Sequence, residues 1–167
     1  MLASVRPTGL DTPSVNRYEW LLFFHIAAAI VWLGGGVAIQ GLAIRANRAD
    51  DPARMVTIAH EAEWFGLRVF LPSSLTVLVL GVILTVDGPW DFGQTWIVLA
   101  LIGYGLSFVT GAAFLGPESG RIGKLLAAEG PDSPAVRARI QRIFLVSRIE
   151  LVLLYLIVLD MVLKPGL

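Results

Sequence analysis

The sequence predicts an all-α polytopic membrane protein, a bundle of four transmembrane helices in one domain. Three observations carry that expectation. Apolar residues gather in four long blocks, lysine and arginine gather in two of the loops between them, and glycine recurs inside the blocks. Of 167 residues, 56% are apolar and 16% charged, whereas a soluble domain holds about 45–50% and about 25%. Net charge is zero and cysteine is absent. The first gives no reason to expect nucleic acid as a partner; the second removes disulfides, thiolate metal sites and cysteine nucleophiles.

Residues 1–17 read as a polar N-terminal tail in which Pro7, Gly9 and Pro13 disfavour regular structure. The tail lacks the basic-then-apolar order of a secretory signal. The remaining residues, 18–167, form the transmembrane domain. A helix needs about 20 mainly apolar residues to cross the hydrocarbon core. Four stretches have that length: about 20–44, interrupted by His25 and Gln40; 69–86, with Pro72 near its start; 96–115, without a charge; and 144–163, which carries Arg148, Glu150 and Asp160.

Orientation follows from the basic residues of the loops. Arg45, Arg48 and Arg54 lie between spans one and two, and Arg121, Lys124, Arg137, Arg139 and Arg142 between spans three and four. The middle loop has none, and the tails contribute Arg6, Arg17 and Lys164. Eight against three places both long loops in the cytoplasm and both termini outside an inner membrane. Asp51-Pro52 and Ser133-Pro134 have the capping residue and first-turn proline of helix starts, so the helices should continue into the cytoplasm. Gly116-Pro117 should break or kink the third span where it leaves the membrane. The glycines (Gly34, Gly35, Gly36, Gly41, Gly81, Gly103, Gly105 and Gly111) allow helices to approach closely in lipid.

Ionisable groups within a span are costly and draw attention first. His25 shares a helical face with Ala29, Trp32, Gly36 and Gln40, a face that should point into the bundle. It is read as an axial haem ligand or a proton-transfer group, beside the alternative of a histidine hydrogen-bonded across helices. His25 and His60 lie roughly 25–35 Å apart along the membrane normal, too far to share one haem. Asp160 and Met161 fall near the depth of His25. Met161 is a candidate second axial ligand; Asp160 either orients the imidazole or, the favoured reading, meets water near Lys164. Arg68, Arg148 and Glu150 should form an interhelical ion-pair network, with binding of an anionic lipid phosphate or haem propionate as the lesser reading. No metalloprotease, hydrolase or phosphate-loop motif is present, so the sequence leaves catalytic residues unassigned and leans away from an enzyme.

The first span, LLFFHIAAAIVWLGGGVAIQGLAIR, and the segment HEAEWFGLRVFLPSSLTVLVLGVILT resemble a group of small bacterial proteins described as predicted integral membrane proteins, a domain-of-unknown-function family. They cover roughly half the chain. A more distant similarity is to HemJ-type protoporphyrinogen oxidases and the membrane part of CopD-type copper-resistance proteins, through the first-span histidine followed by tryptophan and the proline in span two. That resemblance implies a bundle binding b-type haem with His25 as ligand and Trp32 beside it. Span three, TWIVLALIGYG, has neither the histidine nor the lysine of the oxidase pattern, so the resemblance does not extend to its activity. The sequence therefore points to a small integral membrane protein, haem-binding or redox-related at His25. A non-catalytic scaffold subunit binding a protein partner, or a small transporter lined by His25, Gln40 and Asp160, is the alternative.

Overall fold

The computed structural model describes residues 16–167. Six α-helices follow one another: α1 (Arg17–Arg48), α2 (Pro52–Phe65), α3 (Leu71–Asp87), α4 (Thr95–Val109), α5 (Gly116–Glu129) and α6 (Pro134–Leu163). No strand occurs among the described residues. Helix α1 begins inside the stretch read from sequence as tail; residues 1–15 of that tail lie outside the described residues. Local chemistry explains the starts. The Asn16 side chain accepts from the Tyr18 backbone at 3.1 Å while Glu19 accepts from the Asn16 backbone at 2.9 Å, a reciprocal cap. Asp51 accepts from the Arg54 backbone at 2.9 Å and Ser133 from Ala135 at 3.2 Å. Both caps stand where the Asp-Pro and Ser-Pro pairs predict them.

Of the break or kink expected at Gly116-Pro117, a break does not occur, and the helix is irregular there instead. The chain passes from α4 to α5 through a π-helical turn, Thr110–Leu115, and from α2 to α3 through another, Gly66–Phe70. Pro117 and Pro72 each sit two residues beyond such a turn. A proline lacks the N–H and crowds the carbonyl four residues back; widening the preceding turn by one residue accommodates it without ending the helix.

The helical stretches Arg17–Arg48, Ala53–Asp87 and Thr95–Glu129 are each long and apolar enough to cross a membrane. The expected fourth span, 144–163, lies within α6 but is not among them. In the span region α1 packs between α3 and α6, and α6 packs against α4; α3 and α4, though joined by a short loop, are not packed on each other. The lateral order is therefore α3–α1–α6–α4. Large apolar side chains point outward along these helices, including Ile30 at 65%, Val86 at 66% and Ile149 at 62% exposure. In lipid that exposure carries no hydrophobic penalty.

The apolar core lies elsewhere. Ala43, Ala46, Met55, Ile58, Ile122, Val136, Ile140 and Phe144 bury one another where the end of α1, α2, α5 and the start of α6 converge. This cluster, the head of the molecule, is built by the capped helix starts of α2 and α6 together with α5 and the end of α1. Within the spans, close approach replaces burial. A Cβ on Gly35 would stand 2.5 Å from the Phe70 ring, and one on Gly103 would stand 2.7 Å from Ile157. By contrast Gly34, Gly41, Gly105 and Gly111 meet nothing within 4 Å, so only part of the expected glycine set mediates packing. Gly35→Ala should lower the unfolding midpoint in detergent by overpacking worth about 1–3 kcal/mol. Gly41→Ala should leave it unchanged or raise it by about 0.5–1 kcal/mol through helix propensity. Thermal melts of the two variants check the contrast.

Candidate functional site

The face predicted for His25 does turn inward. His25 and Gln40 are buried, and Ala29, Trp32 and Gly36 are half-buried. Gln40 Nε2 donates to the Phe144 carbonyl at 2.8 Å, which ties α1 to α6 and commits this side chain to packing. Trp32 meets Tyr104 edge-to-face, ring centres 6.1 Å apart, and so links α1 to α4 across the interior. His25 itself is 8% exposed. Its Cε1 lies 3.2 Å from where a Gly81 Cβ would stand, so the imidazole fills the α1–α3 seam against a residue with no side chain. Its Nδ1 is buried and has no hydrogen-bond partner in the protein. His60, on α2, is exposed; the two histidines do not form one site.

Depth along α6 follows from the antiparallel α1–α6 pair. Gly36 meets Leu151 and Gln40 bonds to Phe144; counting eleven residues from the first pair and fifteen from the second puts positions 162 and 159 level with His25. Asp160 and Met161 thus share its depth, and both are half-buried. Asp160 departs from expectation. Both carboxylate oxygens are buried without a protein partner, so the group is closed off from bulk solvent and makes no hydrogen bond to the imidazole of His25. Lys164 does not pair with it either: its Nζ lies over the Trp90 ring, 4.0 Å from the centre, and 5.4 Å from that of Trp96. The C-terminal segment folds over the start of α4, with Gly166 against Thr95. Trp96 Nε1, Gln94 Oε1 and the Tyr104 hydroxyl are likewise buried and unpaired. Sequence reasoning missed Trp96 and Tyr104, although both lie on α4 within a span and carry a polar atom that needs a partner.

The ion-pair network expected of Arg68, Arg148 and Glu150 is not formed. Glu150 accepts from the Ser107 hydroxyl at 2.8 Å. Arg68 stands over the Trp64 ring at 5.7 Å, and Arg148 is exposed. The physical reason is the lateral order: Glu150 faces α4, while Arg68 rides on the α2–α3 side of α1. Among the described residues no group of three or more histidine, aspartate or glutamate side chains is placed to hold a metal ion.

A different ionic centre lies in the head. Glu118, on α5, is 2% exposed and is held by Arg139 at 2.7 Å and Arg121 at 3.4 Å. Burial pushes its carboxyl up, but the hydrogen bonds and charges of Arg139 and Arg121 more than offset this and hold it below its ordinary range. Because folding lowers this pKa, the contribution to stability is complete above the unfolded glutamate range and is lost as pH falls through the folded value. Acid titration of the melting midpoint should show that loss. Glu118→Gln should flatten the curve and cost about 1.5–3 kcal/mol at neutral pH, the worth of hydrogen bonds to a charged group.

No curated protein and no solved structure matches the chain. A family model does, over residues 19–165, which takes in every helix from α1 to α6. The chain belongs to the family described as predicted integral membrane protein, DUF2269.

Proposed function

We propose that the chain is a four-span protein of the inner membrane whose activity rests on His25 as a proton-exchanging group. The observation that carries the reading is the buried Nδ1 of His25, unpaired in the protein and enclosed within a candidate span. An imidazole can hold or release a proton near neutral pH. A group of this kind is retained inside a membrane against its cost, which is the mark of function.

The fourth span, 144–163, draws support from how α6 disposes its charges. Glu150 is bonded to Ser107 and the Asp160 carboxylate is turned into the protein. The exposed surface includes Leu145, Ile149, Val152, Tyr155, Leu156 and Leu159, and Arg148 is long enough to carry its charge toward the boundary. The eight basic loop residues support a cytoplasmic head and external termini. Because cysteine is absent, single cysteines at Arg54 and Asp91 give a clean test. An impermeant thiol reagent added to intact cells should label position 91 and spare position 54; the reverse pattern overturns this orientation.

Haem b ligated by His25, with Met161 opposite, fits less well. The His25 ring packs against Gly81 so closely that a Cβ there would stand 3.2 Å from Cε1, which leaves a porphyrin no slot in that seam. Two pockets lie at the ends of the molecule, around Asn47 and Asp50 and around Tyr18 and Asp87, and neither is lined by His25. Histidine-labelled protein in lipid vesicles separates the readings, because the chain has only two histidines and His60→Gln identifies the other. The proton-exchanging reading expects the His25 nitrogens to pass from neutral to charged imidazole between about pH 9 and 4. A single fixed tautomer throughout that range overturns it. So does a Soret band in the purified protein that His25→Ala abolishes.

A further inference from the structure

We infer that the outer side of the α5–α6 seam, at the membrane end of the head, binds the headgroup of an anionic phospholipid. Two guanidinium groups, those of Arg121 and Arg139, meet there on one carboxylate, and a third, that of Arg142, follows one turn along α6. Glu118 is buried at 2% exposure and takes one nitrogen, Nη1, from each of Arg121 and Arg139. A guanidinium has five N–H donors, so each arginine keeps most of its fork. Their side chains are 66% and 43% exposed, which leaves those donors facing outward. Arg142, one turn beyond Arg139 on α6, is exposed and stands over the Phe114 ring, 5.3 Å from its centre. No carboxylate lies within 4 Å of it among the described residues. Three positive charges against one negative leave an excess of two beside the π turn where α4 enters the head.

Three features favour a lipid over any other anion. The site lies at the junction of a candidate span with the head. Arg142 shares its helical face with Leu145 and Ile149, which are 53% and 62% exposed and offer an apolar strip for an acyl chain. The buried Glu118 fixes Arg121 and Arg139 in place, so a phosphate meets forks that are already oriented. The site is independent of the chemistry assigned to His25.

Native mass spectrometry of the full-length chain, in detergent with equal phosphatidylglycerol and phosphatidylcholine, tests the inference. The wild type should retain phosphatidylglycerol preferentially. Arg142→Gln should weaken that retention about five-fold, the worth of one basic residue at an anionic membrane surface, and leave phosphatidylcholine unchanged. Arg121→Gln, which leaves Glu118 held by Arg139, should act in the same direction. Arg137→Gln, whose partner is the exposed Asp132, serves as control and should have no effect. Equal retention of the two lipids by the wild type overturns the inference, as does an Arg142→Gln or Arg121→Gln loss no larger than that of the control.

Discussion

Lipid removes the hydrophobic drive between helices, so a chain that crosses a membrane must fasten its helices by other means or fasten them where water is. This protein does both. The end of α1, α2, α5 and the start of α6 leave the apolar stretches and close an ordinary core around Ile58, Ile122, Val136 and Ile140. Between the spans, contact comes from backbone approach, as where Gly35 receives the Phe70 ring and Gly103 receives Ile157. A few polar ties add to it: Gln40 to the Phe144 carbonyl and Ser107 to Glu150. The head sets which helices are neighbours, and the spans extend that arrangement through the bilayer.

The same division explains where charge is tolerated. Glu118 is more deeply buried than any ionisable group in the spans, yet it is the one with two arginines on it. Water at the rim of the head lets those arginines stay half-exposed, so the burial cost falls on the carboxylate alone. His25 Nδ1, both Asp160 carboxylate oxygens, Trp96 Nε1 and the Tyr104 hydroxyl are buried without protein partners. They concentrate toward the end of the molecule opposite the head. One end is therefore stabilised by apolar packing and a paired carboxylate, and the other carries most of the buried atoms whose hydrogen-bonding capacity is unspent.

What could be read in advance followed the range of each interaction. Helix starts at Asp51-Pro52 and Ser133-Pro134 were legible because a cap is made within three residues. The inward face of His25, Trp32, Gly36 and Gln40 was legible because helical period alone selects it. Asp160 was misread because the burial of its carboxylate is set by tertiary packing near the chain end, which span counting does not supply. Glu118 went unnoticed because its closer partner, Arg139, is 21 residues away on another helix. Arg68, Arg148 and Glu150 share a depth but not a side, and depth is all that span counting supplies.

The two π-helical turns bear on how head and spans are phased. An α-helix turns about 100° per residue, and a π turn holds one residue more than the α turn it replaces. Each of Gly66–Phe70 and Thr110–Leu115 therefore re-aims everything beyond it by roughly that angle about its own axis. One continuous helix can then turn one stripe of its surface toward lipid and a different stripe toward the head core. The extra residue in each turn acts as a phase offset. Removing it from one turn would restore an unbroken α-helix and rotate a correctly folded head face away from its partners, which makes chain length at these two points as constrained as side-chain identity elsewhere.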